Sequence, residues 1–337
     1  MNVKNTRAIR TAAQEALAVH QNPQRIPLVY AGFSALLSLA VTVITYILGL
    51  KIDQMTGLAN MGTRAIFSTV KTILPLAQLI LLLGWEMGYQ MCALRLARRR
   101  YAESMDLKNG FSKFGAVLRT KLLTAVVYIG LGIATMYLSV FIFMALPVSN
   151  PFYEIVSPLL DSATILDSGI VIDEATLAAA SAAMWPAFAI FGVLFILLGL
   201  PVVYNFRMIP FCIADNSQRS ALAILKESRT MMKGRRMSLF KLDLSFWWFF
   251  LLEGLISVTA YLDLILPMLG ISLPWSDTIS YYGFYVLSLA AQVALYWAYL
   301  NKVTLSRAVF YDAIRPENPA QGISLGNIFD LAKEYEE

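Results

Sequence analysis

Several polar side chains fall inside long apolar stretches of the sequence, where they could act on a proton or a solute. They are Glu253, Gln292, Glu86, Gln78 and Lys71. An ionisable group at the centre of a bilayer costs about 2.5–3.5 kcal/mol on insertion scales, so we expect these side chains to face a bundle interior or water. Brought together, the two glutamates and two glutamines would form a polar cavity like the binding site of a transporter. Interhelical hydrogen bonding, worth about 0.6 kcal/mol per pair, is the alternative interpretation.

A second candidate site is a polar segment near residues 217–233, between two apolar stretches. We expect Asp215, Asn216 or Ser217 to cap a helix there, and Gly234 to end it. Apolar residues recur at helical spacing along the segment, and basic residues accompany them. The candidate partner-docking residues are Leu222, Leu225, Arg229, Met232, Arg235 and Arg236. Such an amphipathic helix either docks a protein partner or lies at the membrane interface and seals the inner mouth of the bundle.

The residue inventory argues against catalysis and against metal binding. The chain has two cysteines and a single histidine, His20, which is too few for a Cys/His zinc site or a disulfide scaffold. The sequence also lacks a phosphate-binding glycine loop, an HExxH motif and a GxSxG motif. We therefore expect no catalytic residue, no metal and no cofactor, and we predict that the protein is not an enzyme.

The elements that must position these residues are membrane-spanning helices. The chain has 337 residues, of which 58% are hydrophobic and only 15% are charged. Soluble domains are about one quarter charged, and a span of the hydrocarbon core takes about 20 apolar residues, which must be helical to satisfy their backbone. We predict an all-α polytopic membrane bundle of six transmembrane helices. The spans lie near residues 27–50, 66–94, 122–146, 184–206, 244–265 and 281–300.

Basic residues orient the predicted spans. Of the 27 lysines and arginines, all but Lys51, Arg64 and Lys71 lie before the first span, in alternate connections, or after the last span. The positive-inside rule then places both termini in the cytoplasm. The net charge of +5 fits loops that lie against anionic lipid headgroups, so we expect membrane lipids and no nucleic acid as partners. The predicted parts are a cytoplasmic amphipathic segment at 1–25, a membrane domain at 26–315 and a cytoplasmic tail at 316–337.

Three segments of the sequence carry a resemblance to a known family. They read RAIRTAAQEAL from Arg7, IADNSQRSALAILKESRTMMKGRRMSLFKLDLSF from Ile213, and NKVTLSRAVFYDAI from Asn301. On these segments the chain resembles, over nearly its whole length, an uncharacterised bacterial integral-membrane family called domain of unknown function 975. The resemblance implies a bacterial plasma-membrane location and six spans. It implies no activity and no catalytic residue.

Two functions are favoured by the sequence, and a membrane enzyme that uses aspartate or glutamate alone is a distant third. The first is a non-catalytic accessory or assembly component that engages a membrane or cytoplasmic protein partner through the helix near 217–233. The alternative is a transporter or lipid-handling protein with a central polar cavity. An ATP-driven transporter would need a separate ATPase subunit, because the chain has no nucleotide-binding motif.

Overall fold

The computed structural model describes residues 5–20, 22–55, 60–161, 174–262, 265–266 and 277–315. Within these ranges the regular structure is helical and contains no strand, which confirms the all-α prediction. The predicted tail at 316–337, the middle of the connection between the third and fourth spans, and part of the predicted fifth span lie outside the described residues. The chain divides into two compact units, Met1–Thr120 with Met208–Glu337, and Lys121–Arg207.

The helices are numbered here in chain order. They are α1 (Thr6–Ala18), α2 (Arg25–Gln54), α3 (Met61–Ala97), α4 (Phe114–Ala145), α5 (Asn150–Asp161), α6 (Glu174–Ala183), α7 (Trp185–Phe206), α8 (Ile209–Asp215), α9 (Ala221–Met232), α10 (Arg236–Leu244), α11 (Trp247–Thr259), α12 (Asp277–Leu295) and α13 (Asn301–Ile314). A 3₁₀ helix covers Ser104–Lys113, a shorter one covers Pro147–Ser149, and a π-helical turn covers Tyr296–Leu300 between α12 and α13.

Five helical stretches among the described residues are long and apolar enough to cross a membrane. They are Arg25–Gln54, Met61–Ala97, Ser104–Ala145, Ala179–Asp215 and Ser280–Ile314. The predicted span near 244–265 corresponds to the shorter apolar helix α11, which has 13 residues. Many large apolar side chains of these stretches are exposed, as expected for helices that face lipid. The protein is therefore an integral membrane protein with several membrane-crossing helices.

The largest buried side chains of the first unit lie in segments that precede or follow its most apolar helices. We call the set of α1, α8, α9, α10, α13, the 3₁₀ helix Ser104–Lys113 and the C-terminal turns of α3 the base layer. All of the largest fully buried side chains belong to it or to its connections. They are Tyr311, Phe211, Phe310, Ile9, Leu96, Leu107, Met208, Ile213, Ile224, Met232, Leu239 and Leu242. Burial of these side chains from water stabilises the base layer by the ordinary hydrophobic effect.

Helix α1 joins the base layer as an amphipathic helix, as its sequence predicts. The Asn5 side chain caps it by accepting a hydrogen bond from the Ala8 amide at 3.2 Å. Ile9, Ala13 and Ala16 recur at three- and four-residue spacing and are almost completely buried. Both arginines of α1, Arg7 and Arg10, are exposed.

Helix α9 begins later than the sequence suggests. The Ser220 hydroxyl caps it by accepting from the Ala223 amide at 3.3 Å. The prediction of the cap was wrong for Asp215, Asn216 and Ser217. Asn216 instead accepts from the amide two residues later, in a turn that precedes the cap. The helix end was predicted correctly, since Gly234 has a φ of 75°, the left-handed conformation that favours glycine.

The second unit is built around α4 and α7. The rings of Tyr128 and Phe206 lie 6.3 Å apart, and the two helices also approach each other where Leu131 lies next to Gly199. At the other end of α4, the ring of Phe143 lies 6.1 Å from that of Phe152 on α5. Small and aromatic residues thus hold this unit together, as is common where lipid gives no hydrophobic drive for helix association.

Candidate functional site

Two of the polar residues predicted to share a site meet through a tyrosine. The Tyr296 hydroxyl donates a hydrogen bond to Glu253 Oε1 at 2.8 Å, and Gln292 Nε2 donates to the same hydroxyl at 3.2 Å. Gln292 and Tyr296 are four residues apart and lie on one helix face, whereas Glu253 comes from α11. Tyr296 begins the π-helical turn, a distortion that is frequent at functional sites.

Aromatic rings surround this tyrosine. The ring of Tyr30 on α2 stacks on that of Tyr89 at 4.7 Å and lies 6.5 Å from the ring of Tyr296. The ring of Phe249 lies 6.2 Å from Tyr296 on the side of α11. Rings from α2, α3, α11 and the π-helical turn therefore lie close together.

Hydrogen bonds fix the positions of these rings. Trp85 Nε1 donates to the carbonyl oxygen of Tyr30 at 3.1 Å, which joins α2 to α3. The Tyr89 hydroxyl donates to the buried Asn301 side chain at 2.8 Å, and the Asn301 amide donates to the carbonyl of Pro23. The base layer thus positions the ring of Tyr89, because Asn301 is the first residue of α13.

Glu86 supplies a second carboxyl group near the same tyrosines. Glu86 is three residues from Tyr89 on α3, so the two side chains lie on one face of that helix. Both glutamates are half-buried. We call this group of residues the carboxylate–aromatic cluster. Its members are Glu86, Glu253, Gln292, Tyr30, Tyr89, Tyr296 and Phe249.

The other two polar residues predicted for the cavity lie elsewhere. Gln78 Nε2 donates to Ser38 Oγ at 2.8 Å and links α3 to α2, about 12 Å along α3 from Glu86. Lys71 is exposed, about 22 Å along α3 from Glu86, and its ammonium group lies next to Gly49. Gln78 therefore has the role of an interhelical hydrogen bond, and Lys71 is not part of the cluster.

The chemistry of the cluster suits a cation. Carboxyl groups attract positive charge, and the faces of aromatic rings attract it further, with cation–π contacts worth about 0.5–2 kcal/mol. Among the described residues no three His, Cys, Asp or Glu side chains are grouped closely enough to hold a metal ion. The cluster instead combines carboxyl groups with several rings, which are side-chain types that can bind an organic ammonium group.

The docking residues predicted on α9 fall on two different faces. Leu225 and Met232 are buried in the base layer, together with Ile224. Leu222 is 69% exposed, and Arg229 is exposed on the same outer side. The face of α9 that is free to meet another molecule is therefore mixed apolar and basic, and the main apolar face is already covered by the protein itself.

The last two predicted docking residues are Arg235 and Arg236. Arg235 Nη1 donates to the carbonyl oxygen of Ile314 at 2.8 Å, at the C-terminal end of α13. Such a contact stabilises the unpaired carbonyls and the negative end of the helix dipole. Arg236 is half-buried, and its Nε atom has no hydrogen-bond partner among the described residues.

The base layer contains an ion network that the sequence analysis does not predict. Arg98 donates to Asp215 and to Asp312, with closest distances of 2.7 Å to each carboxylate. The Tyr311 hydroxyl also donates to Asp215 at 2.8 Å, and Arg315 lies 3.1 Å from that carboxylate. Burial alone would lower the pKa of Arg98, but the hydrogen bonds to both aspartates outweigh it and raise this pKa above its ordinary value.

The three segments that carry the family resemblance meet in this layer. The first forms α1, the second supplies Asp215 together with α9 and α10, and the third forms α13. A model of a family described as a protein of unknown function, DUF975, matches residues 1–318. The chain belongs to this family. Membership assigns no activity to the chain, and no curated protein or solved structure matches it.

Proposed function

We propose that this DUF975 protein is a non-catalytic integral membrane protein that binds an organic cation at the carboxylate–aromatic cluster, as a transporter or a lipid-handling protein. The observation that carries the proposal is the hydrogen bond from Tyr296 to Glu253, beside the ring of Tyr30, which stacks on Tyr89. Carboxyl groups are costly at membrane depth, and those that occur there mark ion or substrate pathways by default. The surrounding rings select for an ammonium group over a strongly hydrated metal ion.

The same proposal includes a membrane topology. It has six spans, with α11 as the core of the fifth span, and both termini on the cytoplasmic side of a bacterial plasma membrane. The distribution of lysine and arginine supports this orientation. In this orientation the base layer lies in the cytoplasm, and the cluster lies in the inner half of the membrane.

The first prediction concerns ligand binding by the cluster. We expect the purified protein to bind choline or ethanolamine, used as quaternary and primary ammonium probes. We expect the double variant Glu86→Gln/Glu253→Gln to lose at least about tenfold in affinity, because both carboxyl charges are removed while the side-chain shapes are kept. Isothermal titration calorimetry in detergent measures both affinities.

A matched control separates binding from general charge effects. Glu15→Gln removes an exposed acid on α1, where the carboxylate lies 3.7 Å from Arg99, and we expect it to leave the affinity for the probe unchanged. Equal affinity in the double variant and in the unaltered protein, with both folded, would refute the cation site. Absence of binding of both probes to the unaltered protein would refute it as well.

A specific observation supports a second candidate function, an accessory or assembly component that engages a protein partner through α9. Leu222 is a large apolar side chain that is 69% exposed, and it lies on a helix whose opposite face is anchored in the base layer. A fixed helix presents such a residue at low entropic cost to a partner. Arg229 on the exposed side adds a charge that an acidic partner can pair with.

The second prediction tests this interface. If a protein copurifies in stoichiometric amount from native membranes in lipid-retaining polymer discs, Leu222→Asp/Arg229→Glu should abolish its copurification. Quantitative mass spectrometry of the discs measures the ratio of the two proteins. Lys108→Glu, a charge reversal on the exposed side of the 3₁₀ helix, is the control and should keep the ratio. An unchanged ratio in the double variant would exclude α9 as the interface.

A further inference from the structure

The outward face of α10 is mainly apolar, although α10 belongs to none of the long membrane-crossing stretches. Its inward face is fixed in the base layer, because Leu239 and Leu242 are fully buried and Asp243 accepts a hydrogen bond from Arg307 at 2.8 Å. Only three residues of α10 are exposed, and they are Met237, Lys241 and Leu244. Their four- and three-residue spacing places them on one side of the helix. A helix that met only water on this side would carry polar residues there, so the face fits a partly apolar partner.

The exposed face of α10 continues along α11. One tight turn joins the two helices, in which the amides of Ser245 and Phe246 donate to backbone carbonyl oxygens of α10 at 3.1 and 2.9 Å. After the turn, large exposed side chains recur at the same three- and four-residue spacing, and they are Trp248, Leu251, Leu255 and Val258. Helix α11 is apolar, and in the proposed topology this side of it faces lipid. The surface of α10 is then continuous with a surface that contacts the membrane.

Two stacked tryptophans mark the depth at which α10 lies. The rings of Trp247 and Trp248 lie 3.9 Å apart, and both side chains are exposed directly after the turn. Exposed tryptophan concentrates at the membrane–water interface, because its ring is apolar and its N–H group is polar. Since α10 precedes this pair by a single turn, it lies at the level of the lipid headgroups when α11 enters the hydrocarbon core.

The charge of this segment favours an anionic lipid surface. Residues 233–244 contain four basic side chains and a single acid, Asp243, which is buried and paired with Arg307. Lys241 forms no salt bridge in the part of the chain that the structure describes. A lysine in such a position lays its methylene groups along apolar surface and extends its ammonium group to the headgroup phosphates. The exposed face of α10 is therefore apolar and positively charged, which complements an anionic leaflet.

We propose that the face of α10 that carries Met237, Lys241 and Leu244 docks on the anionic lipid headgroups of the adjoining membrane leaflet. The two apolar side chains enter the boundary between headgroups and acyl chains, and Lys241 pairs with a lipid phosphate. α10 is then covered by the base layer on one side and by lipid on the other. The proposal rests on α11 as a membrane span, but it requires neither a cation at the carboxylate–aromatic cluster nor a partner on α9.

The third prediction uses full-length protein in discs of phosphatidylcholine mixed with phosphatidylglycerol, with a fluorescent label at Met237→Cys. The native cysteines are buried, so the label attaches at the introduced thiol. A nitroxide on the lipid headgroup should quench the label. Nitroxide-labelled phosphatidylglycerol should quench it at least about twofold more strongly than equally labelled phosphatidylcholine, because one lysine at the surface enriches anionic lipid about fivefold. Lys241→Gln should remove this difference.

Two controls accompany this measurement. Lys51→Gln removes an exposed lysine about 40 Å along α2 from the first residue of that helix, and it should keep the preference for phosphatidylglycerol. A label at Leu255→Cys, on the exposed side of α11, tests the span itself, and a nitroxide on the acyl chain should quench it. If the label at Leu255→Cys is not quenched, the fifth span is wrong, and the docking of α10 falls with it.

The other outcomes concern α10 alone. If the label at Leu255→Cys is quenched but only aqueous iodide quenches the label at Met237→Cys, α10 faces water and the proposal is overturned while the span stands. If neither iodide nor lipid nitroxide reaches the label at Met237→Cys, another protein chain covers α10, and the proposal is overturned as well. Equal quenching by the two labelled lipids would overturn the anionic lipid as the partner of Lys241.

Discussion

Replacing Gly88 by alanine is expected to destabilise the protein by at least about 3 kcal/mol, the upper end of overpacking effects. A Cβ atom at this position would lie 1.8 Å from the carbonyl oxygen of Leu107, a backbone atom of the 3₁₀ helix. Gly110→Ala should have a similar effect, because its Cβ would lie 2.1 Å from the carbonyl oxygen of Gly84. Since backbone lies on both sides, no side-chain rotation can relieve the clash. The midpoint of unfolding in a denaturing-detergent titration measures the loss.

Gly115→Ala is the matched control for this fourth prediction. No atom lies within 4 Å of a Cβ built there, and the residue is in the first turns of α4. Alanine should keep or raise stability by up to about 1 kcal/mol, because it favours a helix over glycine. Equal stability of Gly88→Ala and Gly115→Ala would show that α3 and the 3₁₀ helix do not pack backbone against backbone.

Local signals in the sequence were enough to predict the all-helical class. Long apolar runs can only be helical in lipid, so the chain was predicted to be all-α, as the described residues confirm. The helix stop at Gly234 was likewise readable, since the left-handed conformation favours glycine. The start of α9 could not be predicted in this way. Four residues near it are good helix caps, and only the fold selects among them: Asp215, Asn216, Ser217 and Ser220.

The candidate site was predictable only in part. Glu253 and Gln292 were recognised as polar residues in apolar surroundings, and Tyr296 could have been added from its four-residue spacing to Gln292. Tyr30 carries no such signal, because it comes from α2 and meets Tyr296 only through the packing of the helices. The separation of Gln78 from Glu86 was predictable, because eight residues of one helix span about 12 Å.

The faces of α9 show a second limit of sequence reasoning. Helical periodicity located its apolar stripe but could not state what covers that stripe. Leu225 and Met232 fit a docking surface as well as a core, and the structure places them in the core. The burial follows from the base layer, whose segments lie far apart in the sequence. Leu222 lies off this stripe and is therefore the residue left for a partner.

The ion network of the base layer leads to the fifth prediction, that Arg98→Met destabilises the protein by about 3–5 kcal/mol. Arg98 reaches Asp215 across 117 residues and Asp312 across 214 residues, so it joins the ends of α3, α8 and α13. The side chains of the two aspartates are only 12% and 11% exposed, and removing the guanidinium leaves Asp312 without its ion-pair partner. The size of the effect comes mainly from the cost of burying carboxylate charge without a compensating cation, and less from the attraction that is lost. Arg98→Lys should be intermediate, because an ammonium group cannot fork to two carboxylates in the same way.

The control for Arg98 is the pair of Arg219 with Glu227, which has a similarly short distance of 2.6 Å but a 48% exposed arginine side chain. Water already solvates this arginine, so Arg219→Met should cost less than about 1 kcal/mol. Unfolding midpoints of both variants, measured in one detergent and at one ionic strength, give the comparison. If the two substitutions have equal effects, the Arg98 network contributes no more than a surface ion pair, and apolar burial alone holds the base layer together. If Arg98→Met has the larger effect, the charges fix which segments meet there, and through α13 and Asn301 they also fix the position of Tyr89 in the cluster.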